Sequence, residues 1–391
     1  MSTKNYFDNT EVAFKLKSDS ELERAYFLFR MISKEPLVRI GTVMTKFALN
    51  AKLPVEGLIR ATVFDHFCGG INEEDSMPTV DKLYDAGVYS VLDYSVEGKE
   101  EEEVFDRTAN KVMQLTKFAK NKEAMPFSVF KPTGFGRFKV FQKITENETL
   151  TDAEVKEWQN IVERYDEVSR MASENDIRLL IDSEHSWMQG AADDLCEEMM
   201  AKYNKEKPIV FNTLQLYRWD RFDYLKEQHR KAKENGYKLG FKIVRGAYLE
   251  VENERAIEKK YPTPICHSKK DTDDNFNEVM TYILENLDDI SIFIGTHNEH
   301  SNYLAMELMD QMGIDKKDDR VWFGQLYGMS DHITFNLGKL GYNVAKYVPF
   351  GPVKDVMPYL IRRAEENTSV AGQTSRELNL LKRERERRKI K

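Results

Sequence analysis

The feature that most limits what this chain can fold into is a rhythm that starts near residue 90. Eight short apolar, β-rich runs alternate with longer amphipathic stretches, at residues 90–94, 127–131, 178–182, 209–215, 239–244, 292–296, 321–326 and 344–349. Strands separated by helices are joined by crossovers, and crossovers leave neighbouring strands parallel. Eight such units over roughly 270 residues match the ~250 of a closed (βα)8 barrel. A doubly wound open sheet is the competing pattern. No GxGxxG turn follows any of the strands, which counts against its dinucleotide-binding form. The expected fold class is therefore α/β, with a helical segment at residues 1–85, the barrel at 86–370 and a basic helical tail at 371–391.

Before the barrel, Ser20 precedes an amphipathic run and reads as a helix cap. Two more helical stretches follow around 37–49 and 55–68, the second closing at Gly69-Gly70. The tail, residues 376–391, holds eight basic and three acidic residues. It reads as a solvated terminal helix or as a surface for acidic lipid head groups. A net charge of −8 argues against nucleic acid as a partner. Cys68, Cys196 and Cys266 are odd in number and form no CxxC pair, which fits a reducing compartment. The N-terminus has neither an apolar signal core nor transit-peptide character, and no apolar run reaches 18 residues. The chain is expected to be cytoplasmic, with at most a peripheral attachment to the inner face of the cell membrane.

Nearly every strand ends in a side chain able to do chemistry. The series is Asp93, Lys131, Asp182 with Glu184, Gln215, Arg245, Thr296-His297-Asn298, Gln325 and Tyr347. One polar residue after a strand is usually a loop residue or cap. Eight in register point to the barrel's C-terminal face, where βα loops assemble active sites. Near the end, Arg362 and Arg363 are adjacent on a helix, with Glu366 three and four residues on. Guanidinium forks with a nearby lysine are suited to a carboxylate. The histidines and acids at the strand ends lack HxH or HExxH spacing, so no catalytic metal is expected.

Five motifs, in order, resemble proline dehydrogenase: Lys242-Ile-Val-Arg-Gly-Ala-Tyr248, Thr296-His-Asn298, Phe323-Gly-Gln-Leu-Tyr-Gly-Met329, Tyr347-Val-Pro-Phe-Gly-Pro352 and Tyr359-Leu-Ile-Arg-Arg-Ala-Glu-Glu-Asn367. The likeness is to the single-function, mitochondrial-type enzymes. It implies a distorted, TIM-like (βα)8 barrel whose last helix covers the active site. It also implies oxidation of L-proline to Δ1-pyrroline-5-carboxylate, with FAD as oxidant and a membrane quinone as electron sink. A separate pyrroline-5-carboxylate dehydrogenase would take the product. By the resemblance, Lys131, Arg362 and Arg363 grip the substrate carboxylate, and Leu326 and Tyr347 pack on its ring. Asp182 matches the active-site aspartate, with Ser183 beside it against the flavin. Gln215, Arg245, Gly246, Ala247, Thr272, Thr296, His297 and Asn298 match FAD-holding positions. Glu97 matches an acid that pairs with the arginine helix when the site closes, and Glu366, by its spacing, is close enough to orient either arginine. Many bacterial relatives carry Arg first and Lys fourth where this chain has Lys242 and Arg245, so either cation is a candidate to face flavin N5. Tyr347, where hydroxyproline dehydrogenases carry a small polar residue, favours proline over its 4-hydroxyl relative.

Overall fold

The computed structural model describes residues 5–34, 56–94, 100–369 and 373–390. Its eight strands are β1 (Tyr89–Tyr94), β2 (Phe127–Phe130), β3 (Arg178–Ile181), β4 (Val210–Gln215), β5 (Leu239–Val244), β6 (Ile290–Gly295), β7 (Val321–Leu326) and β8 (Val344–Phe350). They follow one another around a closed barrel in chain order, with parallel ladders. All eight expected strands are present, their ends displaced by at most a turn residue or two. Both faces of a parallel barrel strand are covered, so its residues are buried almost continuously. Every residue of β2, β4 and β8 is buried.

The chain forms two compact units, one of residues Gly98–Gly324, the other of Met1–Glu97 together with Gln325–Lys391. In the first, Phe127 of β2 meets Phe211 of β4, Phe293 of β6 and Trp322 of β7 edge to face, at 5.0–6.1 Å between centroids. The three phenylalanines come from alternate strands, which is how a layer of a barrel interior is built, and Trp322 joins them from β7.

In the second unit β1 pairs with β8, from Tyr89 opposite Ala345 to Tyr94 opposite Phe350. The helix Asp19–Ile32 opens with a capping box at Ser18, not at Ser20. The Ser18 hydroxyl accepts from the Glu21 amide, and the Glu21 carboxylate accepts from the Ser18 amide at 2.6 Å. Both serines stand three residues before a glutamate, and the extended backbone at Ser18 decides between them. The expected helix at 37–49 lies outside the described residues. The one expected at 55–68 is broken by a π-turn, Arg60–Phe64, between Glu56–Ile59 and Asp65–Phe67.

The basic tail is neither solvated all round nor a free cationic surface. It forms the helix Gln373–Arg387, whose Leu380 and Leu381 are buried with Ala13, Phe14, Leu22, Ala25 and Phe29. Its arginines find acids in the N-terminal segment. Arg376 and Arg383 reach Asp8, Arg385 reaches Glu23, and Arg388 reaches Asp19 as well as Glu384 on its own helix. Among the described residues no helix is long and apolar enough to cross a membrane.

Candidate active site

In the unit of residues 98–324, three charged side chains from strands β2, β3 and β5 converge. Lys131 directly follows β2 and Asp182 directly follows β3, while Lys242 lies within β5. Asp182 is held in place by its amide, which donates to the Phe130 carbonyl at 2.9 Å. One of its carboxylate oxygens takes a short hydrogen bond from Lys242, and the other lies 4.0 Å from the Lys131 ammonium. Lys242 is 5% exposed, whereas Asp182 and Lys131 are half-buried. A buried ammonium needs a counter-charge, and Asp182 supplies it.

The neighbouring Ser183 hydroxyl donates to the Thr213 carbonyl. Glu184, three residues past β3, accepts from the amide and hydroxyl of Thr133 at 2.9 and 2.8 Å. Burial pushes the Glu184 carboxyl above its ordinary range, and the two bonds from Thr133 pull against that. His185 stacks at 4.2 Å on Tyr248 and at 4.6 Å on Trp187, and burial lowers its pKa to about 4.

Arg245 sits immediately after β5 with its guanidinium held by three neighbours. It pairs with Asp273 at 2.7 Å, donates to Thr296 Oγ1 at 2.8 Å and to Ser301 Oγ at 3.1 Å, and lies 4.5 Å over the Phe276 ring. Thr296 and Asn298 follow β6, and the Asn298 side chain caps the helix Glu299–Gln311. His297, between them, is half-buried. Thr272 is buried in the first turn of the helix Lys269–Glu285, one position from Asp273. Gln215, at the end of β4, is 3% exposed, and its side-chain oxygen has no hydrogen-bond partner. After β5 the chain runs through Gly246 at φ +135°, where a Cβ would lie 2.6 Å from the Tyr217 ring. Only glycine fits that position. Gly246 and Ala247 are exposed, leaving their backbone open to a ligand.

In the other unit, Leu326 ends β7 and is half-buried, while Tyr347 lies in the middle of β8 and is 7% exposed. Arg362 and Arg363 lie half-buried on the helix Met357–Ser369, with the Arg363 guanidinium 5.2 Å over the Tyr359 ring. Gln325 is committed elsewhere, since its oxygen accepts from Thr334 at 2.8 Å. Glu97 lies outside the described residues, as does the side chain of Glu366.

The sequence marks Asp182 and Lys131 as separate strand-end residues and Lys242 only as the first residue of a family motif, and the structure joins the three. It did not reveal Asp273, Thr133 or Ser301. Asp273 looks like half of an ordinary Lys269–Asp273 helix pair, which it also forms at 2.6 Å. Among the described residues no group of three His, Cys, Asp or Glu side chains is placed to hold a metal ion.

Known proteins resemble this chain. The family model "Proline dehydrogenase" matches residues 76–376. The chain is 34% identical over 337 residues to the carbapenem antibiotics biosynthesis protein CarD of Pectobacterium carotovorum subsp. carotovorum, covering 86% of this chain and 87% of that one. It is 30% identical over 429 residues to proline dehydrogenase 1, mitochondrial, of Dictyostelium discoideum, covering 97% of this chain and 74% of the relative. The Arabidopsis thaliana protein of the same name is 30% identical over 418 residues, with 95% and 84% covered. Among solved structures, proline utilization A from Bdellovibrio bacteriovorus, inactivated by N-propargylglycine, superposes with a TM-score of 0.71 at 20% identity. That match covers 95% of this chain, which spans 40% of the length of the other, and it shows a shared fold.

Proposed function

The chain belongs to the proline dehydrogenase family, and we propose that it oxidises L-proline to Δ1-pyrroline-5-carboxylate with FAD as the bound oxidant. It is an oxidoreductase acting on the CH–NH group of proline, at the first step of proline catabolism to glutamate. The observation that carries the residue-level reading is the convergence of Lys131 and Lys242 on Asp182.

Members of this family are flavoenzymes, and the residues present suit FAD. Gln215 offers a buried oxygen that lacks a donor, and Gly246 leaves an exposed backbone where no side chain fits. Gln215, Arg245, Gly246, Ala247, Thr272, Thr296, His297 and Asn298 would hold the cofactor, with Ser183 against its ring. Bound there, FAD supplies the hydride acceptor. What the chain must add is geometry, because hydride transfer depends on holding the donor carbon at the right distance and angle. Arg362, Arg363 and Lys131 grip the substrate carboxylate, the two guanidinium groups through paired N–H donors. Leu326 and Tyr347 pack on the ring, and the bulk of Tyr347 favours proline over 4-hydroxyproline. Glu97 and Glu366 orient the arginines. Arg245 is anchored by Asp273, Thr296 and Ser301, which supports Lys242, paired with Asp182, as the cation nearest the reacting atoms.

Electrons leave to a membrane quinone, and a separate pyrroline-5-carboxylate dehydrogenase takes the product. The proposed location is the cytoplasm, with peripheral contact to the membrane that holds the quinone. The carboxylate grip is tested by dye-coupled oxidation of proline. Arg362→Met and Arg363→Met are each expected to raise KM for proline by about tenfold or more, the loss of a charge-assisted bond worth roughly 1.5–3 kcal/mol. A KM unchanged in both variants sinks that assignment.

A further inference from the structure

The turn after β7 takes a shape that few sequences hold unaided. Gly328 is at φ +77° and Ser330 at φ +52°, and no side chain caps the helix Asp331–Leu340 that follows. The left-handed region costs a serine energy unless its surroundings fix it. Here they do, because a buried lysine and a half-buried histidine take three carbonyls of this one turn. Lys346 of β8 donates to the Leu326 carbonyl at 3.2 Å and to that of Met329, and His66 donates through Nε2 to the Gly328 carbonyl at 2.9 Å. A carbonyl only accepts, so the donor fixes the His66 tautomer. A fourth bond runs from the Tyr327 amide to the Tyr347 carbonyl at 2.8 Å.

Lys346 is fully buried, and its charge is answered by Asp331 at 3.0 Å. Lys17 reaches the other oxygen of Asp331 at 3.2 Å. A buried ion triad is a poor source of stability, since apolar side chains of similar volume serve as well or better. What it does supply is fixed direction. The ammonium defines where the Leu326 and Met329 carbonyls sit, while its own backbone neighbour in β8 is Tyr347.

We propose that Lys346 is a positioning residue which, with Asp331 as its counter-charge, sets the placement of Leu326 and Tyr347 for substrate recognition. This role rests on the reading that these two residues pack on the substrate ring. Lys346 itself touches no substrate. Its effect therefore belongs in substrate fit, with flavin binding left intact.

The test uses the full chain with its flavin and compares proline with 4-hydroxyproline. Lys346→Met is expected to raise KM for proline about tenfold and to narrow the preference for proline, with kcat within about threefold and flavin content unchanged. Lys17→Met keeps Lys346 and its carbonyl contacts, so KM is expected to stay within about twofold even where thermal stability falls. Should the methionine variant not accumulate folded, Lys346→Gln carries the test. Its amide still donates but without charge, and a KM rise of about twofold or more with weaker discrimination is expected. A stability loss with KM and preference both unchanged overturns the role and leaves Lys346 merely structural. A wild-type flavin that proline does not reduce contradicts the proposed function itself, and is read before any variant.

Discussion

His66 and His185 are both held neutral by burial, which lowers their pKa values to about 3 and about 4. An imidazole in the unfolded chain titrates near 6.5. As pH falls below that value the unfolded chain takes up protons that these two folded rings refuse. Their contribution to stability is therefore complete above pH 6.5 and is lost progressively as pH drops toward 3 and 4. By pH 5 the loss from His66 alone is on the order of 2 kcal/mol. His66→Gln keeps a donor for the Gly328 carbonyl and removes the titration. Denaturant unfolding at pH 7.5 and 5 is expected to show a smaller pH-dependent drop in this variant, and an identical drop in both proteins contradicts the assignment. At this scale the sequence was partly legible. Asp182 and Lys131 stood out as charges directly after apolar strands, whereas Lys242, inside β5, was marked only by the family motif that it opens. Arg245 announced itself too, but Asp273 did not, because a helical Asp four residues after Lys269 is indistinguishable in sequence from a solvated pair.

The helices are where reading the sequence and seeing the fold part company. The strands stood out because a barrel strand must be apolar on both faces over a short run, a pattern that little else produces. The C-terminal helix gave the opposite signal, with charges spread along most of its length. Its burial depends on two adjacent leucines and on acids at Asp8, Asp19 and Glu23, far away in the chain. No local pattern records those partners. Leu381 is 1% exposed, so Leu381→Ala is expected to cost about 2–5 kcal/mol, the usual range for a buried leucine. Thermal unfolding checks this, and a melting temperature within a degree of wild type means the helix is not anchored by that face.

At the scale of the whole molecule, the order β1 to β8 around a closed barrel is what alternating strands and helices require of the chain. The chemistry was less fully legible. Barrels of this kind host many unrelated reactions, so the fold alone names no substrate. The family match over residues 76–376 supplies proline, and the cluster of Lys131, Asp182 and Lys242 is the local chemistry proposed for it. The central claim is that one chain binds a flavin and reduces it with proline. The most direct measurement is the visible absorbance spectrum of the purified protein before and after anaerobic addition of L-proline. A yellow protein whose flavin band bleaches with proline is the predicted result. A colourless protein, or a flavin that stays oxidised in excess proline, would contradict it.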